Sequence, residues 1–333
     1  MRKVDVGKLN PVFLEKLILS LPQDKRVIVG PGIGKDAAVI DFGEFCLAVK
    51  TDPITFTPHN IGWYVVNINA NDIACVGATP RWFLLTLLLP QKKTSDSLIK
   101  NILKEVTSAC KELGVFLIGG HTEITYNLDR PLAVGQMLGE VKKERVVRSS
   151  GAKEGDIIIL TKGVAIEGTY LIYSKEKQEL KKKLSPQILL RMENLLYNPG
   201  IGVVKEALLA SKNIKVHSMH DPTEGGLMTG LWEIAYASGV GIRIEKEKIP
   251  VLEETRVICA IYGLDPLKLL ASGSLILTLS PDEGEKLCQI YKRENISYKV
   301  IGKVISPKEG VKMVENGKEF NFSGNHKDEI AKL

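Results

Sequence analysis

From end to end of this chain, short apolar runs rich in β-branched residues alternate with longer stretches of helical periodicity. That alternation restricts the fold to an α/β or α+β class, because each strand face and each helix stripe must be covered by the other kind of element. FCLAVK (45–50) and WFLLTLLL (82–89) read as strands. Between Thr94 and Leu113 the apolar residues Leu98, Ile99, Ile102, Leu103, Val106, Ala109, Cys110 and Leu113 fall on one helical stripe. Thr94 or Ser95 caps its start, and Gly114 stands where a left-handed residue ends it. VFLIGG (115–120) predicts a buried strand closed by a glycine turn.

The chain has 333 residues, about twice a common domain length, so two domains are expected. The polar, glycine-bearing SSGAKEGD (149–156) lacks apolar periodicity and leads directly into IIILT, which places the boundary between residues 1–150 and 151–333. The second half repeats the grammar of the first, with late strands at SLILTL (274–279) and YKVIGKV (298–304). Beyond Pro307 a hairpin is expected around Glu315, Asn316 and Gly317, followed by a frayed end.

Several function classes are disfavoured. No segment approaches the roughly 18 unbroken apolar residues of a membrane span, and MRKVDVGKLNPVF has no apolar core of a secretion signal. Cys46, Cys75, Cys110, Cys259 and Cys288 form no CxxC pair and lie mostly in apolar runs, as reduced thiols of a cytoplasmic protein do. The net charge of +6 is spread among interspersed acids. The densest basic run, KEKQELKKK (175–183), reads as a solvated helix face, so neither nucleic acid nor membrane is expected as a partner.

The chemistry concentrates in a few motifs. In VGPGIGKDAAVID (29–41) three glycines and a proline precede Lys35 and Asp36, a turn through which backbone can approach a ligand. It is no P-loop, since Lys35 leads into a strand. KTDPITF (50–56) puts Asp52 at a strand end. In NIGWYVVNINANDIACVG (60–77) a helical apolar pattern carries Asn67, Asn69, Asn71 and Asp72, all poor helix formers. Asp72 would oppose the helix dipole, which calls for a metal ion or basic side chain nearby. IGGHTEIT (118–125) sets His121, Thr122 and Glu123 on the loop after a strand. Zinc is disfavoured, because His121 lacks a spaced His or Cys partner and His217 and His220 merely precede a helix.

In MHDPTEGGLMTGLWEIA (219–235), Asp221 as N-cap, Pro222 and Glu224 make a capping box. The box leaves Gly225 and Gly226 unexplained, and close approach of a phosphate or of another backbone would account for them. Asp36, Asp52, Asp72 and Asp221 are hard oxygen donors without thiolate company, a set suited to Mg2+ carrying a nucleotide triphosphate.

The ordered blocks GIGKDAAVID, TDP, NANDIACVGATPR, IGGHTEIT, DRPLAVG, SSGAKEGDIIILTKG, MHDPTEGGL, IPV with GLDPL, and IGKV span about residues 29–304. Together they resemble the aminoimidazole ribonucleotide synthetase (PurM-like) superfamily, and are most similar there to the hydrogenase expression/formation proteins of the HypE group. The resemblance implies an N-terminal α/β domain whose sheet builds a barrel with its twofold mate, a C-terminal α/β domain, and Mg-ATP in the cleft of a homodimer. It implies Asp36, Asp52, Asp72 and Asp221 as metal and phosphate residues. Lys35 would stand with Asp36 and Asp221 in catalysis, and Asn69, His121, Thr122, Glu123 and Gly225 would line the nucleotide.

Members of that superfamily use ATP to phosphorylate an amide-type or similar oxygen. HypE thereby dehydrates a carboxamide on its own C-terminal cysteine during hydrogenase maturation. The sequence here ends NHKDEIAKL without a cysteine tail, and GGHTEIT stands where GDTK is the group's pattern. The expectation is an ATP-dependent enzyme acting on a small-molecule or peptide carboxamide or carboxylate, with maturation proteins as partners. The alternatives are a non-catalytic nucleotide-binding scaffold and a small-metabolite kinase of the same superfamily. A thiamin-monophosphate kinase would carry two adjacent aspartates where Lys35 and Asp36 stand. A selenophosphate synthetase would have an N-terminal reactive cysteine, whereas the first cysteine is Cys46.

Overall fold

The computed structural model describes residues 11–18, 22, 24–55, 57–324 and 327–333. The first half contains α1 (Pro11–Ile18), β1 (Val27–Val29), β2 (Ala38–Asp41), β3 (Phe45–Ile54), α2 (Ile61–Cys75), β4 (Thr79–Pro90), α3 (Asp96–Leu113), β5 (Phe116–Thr125) and β6 (Leu132–Lys142). Its strands form one sheet in the order β1-β2-β3-β6-β4-β5. All neighbours are antiparallel except β4 and β5, the pair joined through α3. A parallel pair requires such a crossover, and α3 supplies it.

α3 begins and ends where its residues dictate. Ser95 Oγ accepts from the Leu98 N–H at 3.2 Å, and Gly114 ends the helix at φ 66°. Ile102, Val106, Ala109 and Cys110 are the buried stripe. α2 differs: every one of its residues is buried, so it has no solvent face on which to place its polar side chains.

β5 departs from the expected buried strand with a terminal glycine turn. It runs on through Gly119, Gly120 and His121 to Thr125 as the edge of the sheet, with Phe116, Ile118 and Ile124 all more than half exposed. His121, Thr122 and Glu123 are therefore strand residues rather than loop residues. An apolar run looks the same in sequence whether a neighbouring element or a second chain covers it.

The second half contains β7 (Ile157–Thr161), α4 (Ile166–Leu180), α5 (Pro186–Asn194), α6 (Val204–Asn213), β8 (Ser218–His220), α7 (Gly226–Ser238), β9 (Gly241–Glu245), α8 (Glu253–Tyr262), β10 (Ile276–Leu279), α9 (Pro281–Arg293), β11 (Tyr298–Ile305), β12 (Val311–Glu315) and β13 (Lys318–Asn321). Its sheet order is β13-β12-β9-β11-β7-β10-β8, with β7 deep inside it. The expected hairpin is present: Asn316 and Gly317, both at positive φ, turn β12 into β13. Residues 327–333 are not frayed. Asp328 accepts from the backbone N–H groups of Leu270 and Ile330, and Glu329 is buried. Among the described residues no helix is long and apolar enough to cross a membrane.

Candidate functional site

The asparagine amides of α2 each find an acceptor in the interior, as buried polar groups tend to, while Asn69 Oδ1, Tyr64 OH and Trp63 Nε1 have no partner among the described residues. Asn67 and Asn69 return their amides to the carbonyls four residues back, Trp63 at 3.0 Å and Val65 at 2.8 Å. Asn69 Nδ2 also donates to the Asp52 carbonyl at 3.2 Å, bracing β3. Gly135 on β6 permits this reach, because a Cβ there would stand 2.4 Å from Asn69 Nδ2. Asn71 crosses to the second half: its amide donates to Ile201 O at 2.8 Å and its oxygen accepts from Val203 N–H at 2.8 Å, ahead of α6.

These braces bring Asp72 to a junction with three other segments. Lys50 and Asp52 lie two apart on β3 and so share a face. Lys50 Nζ is 3.3 Å from Asp72 and 3.5 Å from Asp52. The glycine turn delivers Asp36 just ahead of β2. Gly34 adopts φ +67° there, and a Cβ on it would meet the Glu233 carbonyl of α7 at 2.9 Å. Asp36 Oδ2 accepts from Ser149 Oγ at 3.0 Å, and Oδ1 lies 2.6 Å from His220 Nδ1. The other ring nitrogen of His220 is 2.9 Å from Glu233 Oε2. Asp221 Oδ1 accepts from the Cys75 thiol at 3.4 Å, while Asp221 Oδ2 has no partner among the described residues although the residue is only 2% exposed.

Five carboxyl groups thus face two cationic side chains. Burial, opposed by Lys50 and reinforced by Asp221, Asp52 and Asp36, pushes the Asp72 carboxyl well above the usual range. Burial and Asp36 push Asp221 up to about 7 against the pull of His220 and Lys50. Burial disfavours the Lys50 ammonium, yet the carboxylates of Asp72, Asp52, Asp36 and Asp221 outweigh it and hold the lysine charged. The same contest at His220, burial against Asp36 and Glu233, raises the imidazole well above its ordinary value. Burial and Asp221 raise the Cys75 thiol, so it serves as a donor and not as a nucleophile.

Carboxyls pushed toward protonation by burial and by one another are what a divalent cation relieves. Asp36, His220 and Asp221 offer ligand atoms within 4.8 Å of one another. The unpaired Asp221 Oδ2 adds an enclosed oxygen that a cation would satisfy. The residues present therefore fit a divalent ion.

The structure sorts the sequence-predicted residues. Asp36, Asp52, Asp72 and Asp221 come together. The basic group required beside Asp72 is Lys50, whereas Lys35 is exposed and folds its side chain over Gly32. His121, Thr122 and Glu123 lie on the exposed face of β5, where His121 Nε2 is 3.5 Å from Glu123 Oε2. The capping box does not form. Gly225, at φ 80°, is the N-cap of α7, so the helix starts at Gly226 and Asp221 is free to face the cluster. Both glycines are explained by backbone. Gly226 is left-handed, and a Cβ on it would stand 2.5 Å from Leu267 O; the Gly225 N–H donates to Asp328 Oδ2 at 2.7 Å. His217 bonds Asp156 at 2.8 Å, apart from His220 and its Asp36 partner.

Lys50, His220, Glu233 and Ser149 belong to the cluster without standing out in the sequence. The spacing of Lys50 and Asp52 on one strand face is the available signal for the first.

The AIR synthase related protein N-terminal domain matches residues 34–141, and its C-terminal domain matches residues 153–314. The chain belongs to the AIR synthase related family. Within this family the chain is 27% identical to a protein of Methanocaldococcus jannaschii named for hydrogenase expression/formation, over 92% of this chain and 90% of that one. It is 31% identical to the thiamine-monophosphate kinase of Pyrococcus horikoshii, over 72% of this chain and 74% of that one. Its fold matches a crystal structure of the hydrogenase maturation protein HypE in complex with ATP, with a TM-score of 0.69 at 23% identity over 94% of this chain and 91% of that one. The two-domain PurM-like fold follows. Asp36, Asp52 and Asp72 come from the N-terminal match and Asp221 from the C-terminal one, so the cluster lies where the two matches meet.

Proposed function

We propose that this chain is an ATP-dependent enzyme of the HypE kind, which uses Mg-ATP to activate an amide- or carboxylate-type oxygen by phosphoryl transfer. The substrate class is a small-molecule or peptide carboxamide, and the setting is hydrogenase maturation alongside other maturation proteins in the cytoplasm. The observation that carries the reading is the cluster of buried Asp36, Asp72 and Asp221 with the partly exposed Asp52, in which Asp221 Oδ2 has no partner among the described residues. The ion, when bound, neutralises phosphate charge and orients the transferred group. Asp36 and Asp221 would hold it, with Asp52 and Asp72 joining through the face that Lys50 now neutralises. Lys50, a fixed ammonium at the rim of the carboxylates, would meet phosphate oxygens. Ser149 and Asn69 act as braces, the first on the Asp36 carboxylate and the second on the Asp52 backbone.

In this reading residues 1–150 and 151–333 are the two functional domains, and a second copy covers β5. Support for the dimer is the exposed apolar edge of Phe116, Ile118 and Ile124. His121, Thr122 and Glu123 would then line the junction between copies, next to the nucleotide.

The relative named a thiamine-monophosphate kinase favours a second reading, transfer of phosphate to a small metabolite that keeps it. Phosphorus NMR of reactions with ATP and candidate carboxamides separates the two. Free phosphate with a dehydrated or substituted product supports the first, and a stable phosphorylated product supports the second. Absence of any magnesium-dependent ATP turnover, in wild type as in Asp72→Asn, would refute both.

A further inference from the structure

Glu233 stands behind His220 in a particular way. Metal-ligating imidazoles face the ion with one ring nitrogen and donate the other N–H to a carboxylate, which sets the tautomer and the ring orientation. His220 Nε2 lies 2.9 Å from Glu233 Oε2, and Nδ1 points at Asp36 Oδ1, 2.6 Å away. His220 also offers a ligand nitrogen within 4.8 Å of the ligand oxygens of Asp36 and Asp221. An acidic cluster alone would not mark a ligand position. The independent observation is Asp221 Oδ2, enclosed and without a partner among the described residues, in a residue 2% exposed. The other oxygens of the set are engaged, Asp36 Oδ2 by Ser149 and Asp221 Oδ1 by Cys75.

We infer that His220 is a nitrogen ligand of the ion held by Asp36 and Asp221, oriented by Glu233, so that the site prefers a nitrogen-tolerant divalent ion such as Mn2+ over Mg2+. The inference deepens the proposed function and shares with it the location of the ion. Imidazole suits transition ions, whereas Mg2+ selects oxygen donors and near-ideal octahedral geometry. Ligand atoms on a common ion at about 2.1 Å sit about 3 Å apart. As the ion binds, the Nδ1 proton shared with Asp36 is released to solvent, the Nε2 proton stays with Glu233, and Asp36 Oδ1 and His220 Nδ1 part by only a few tenths of an ångström, within reach of side-chain rotation.

The test uses the full chain with Mn2+ alone, read by pulsed electron paramagnetic resonance and by titration. Wild type is expected to show nitrogen hyperfine modulation on bound Mn2+. His220→Asn should lose the modulation and weaken Mn2+ binding by about tenfold or more while changing Mg2+ binding by less than about threefold. Glu233→Gln, which leaves the ligand in place, should keep the modulation with Mn2+ affinity reduced about 10–100-fold. Bound Mn2+ without nitrogen modulation in wild type, or no Mn2+ binding at all, overturns the inference, and this arm does not depend on whether a variant folds. Wild type that binds a Mg-nucleotide yet shows no nitrogen coupling would sink the histidine ligand and leave the proposed function standing. Nitrogen coupling without nucleotide binding would do the reverse.

Discussion

Replacing Lys50 by glutamine should turn the cluster from a self-neutralised site into one that an added cation stabilises. Lys50 stands 3.3 Å from Asp72, whose side chain is 9% exposed, and 3.5 Å from Asp52, whose side chain is 37% exposed. The Asp72 pair therefore carries most of the effect, the Asp52 pair being screened by solvent. Removing one partner of a buried ion pair leaves an uncompensated charge and costs about 3–5 kcal/mol. At roughly 2.1 cal/mol/K of unfolding entropy per residue, a chain of this length should lose about 4–7 °C in Tm. The deficit should widen with pH. Asp72 in the fold already binds its proton more tightly than in the unfolded chain, so the contribution of that proton is present in acid and lost as pH rises through the folded value. Thermal unfolding with and without Mg2+ reads both effects, and saturating Mg2+ at about 100 times its Kd should return about 2.7 kcal/mol. A Lys50→Gln protein melting within about 1 °C of wild type at pH 8, or one indifferent to Mg2+, would refute this account of the cluster.

Other expectations follow from single contacts. Glu167 on α4 is pushed up to about 7 by burial, with Asp328, Glu224 and Asp221 adding to it, against an ordinary value of 4.5. Its folded value is raised, so its stabilising contribution is full below about pH 4.5 and lost as pH rises through about 7, a loss of about 3 kcal/mol. Urea unfolding of Glu167→Gln at pH 5 and pH 8 should show that much less pH dependence than wild type. Asn71→Ala removes both bonds to the Ile201–Val203 segment and leaves a buried carbonyl and N–H unpaired, for about 2–4 kcal/mol of destabilisation in the same assay. Gly135→Ala places a methyl against Asn69 Nδ2, across the ladder from Asp52, which should displace the brace on Asp52 and weaken divalent-ion binding in calorimetry.

Local rules of sequence carry a good part of the fold. α3 is readable to within a residue or two because Ser95, its apolar stripe and Gly114 agree. The β12–β13 hairpin is readable because Asn316 and Gly317 tolerate positive φ. The four aspartates are readable as a set because each sits where glycine, proline or asparagine disrupts an otherwise regular pattern. What local rules miss is information that only tertiary structure contains. DPTEGG mimics a capping box, and the left-handed pair Gly225 and Gly226 overrides it. β5 reads as buried by composition, yet it ends a sheet. Lys50 resembles an ordinary strand lysine until α2 brings Asp72 against it. His220 has no spaced zinc ligand beside it, because its partners are Glu233 on α7 and Asp36 in the other half of the chain.

Isothermal titration with a non-hydrolysable ATP analogue and Mg2+ tests the central claim most directly, comparing wild type with Asp36→Asn and Asp72→Asn. The account predicts magnesium-dependent binding by the wild type that both substitutions abolish or weaken by at least about tenfold. Failure of the wild type to bind, or binding that neither substitution changes, would contradict a nucleotide site built on these carboxylates.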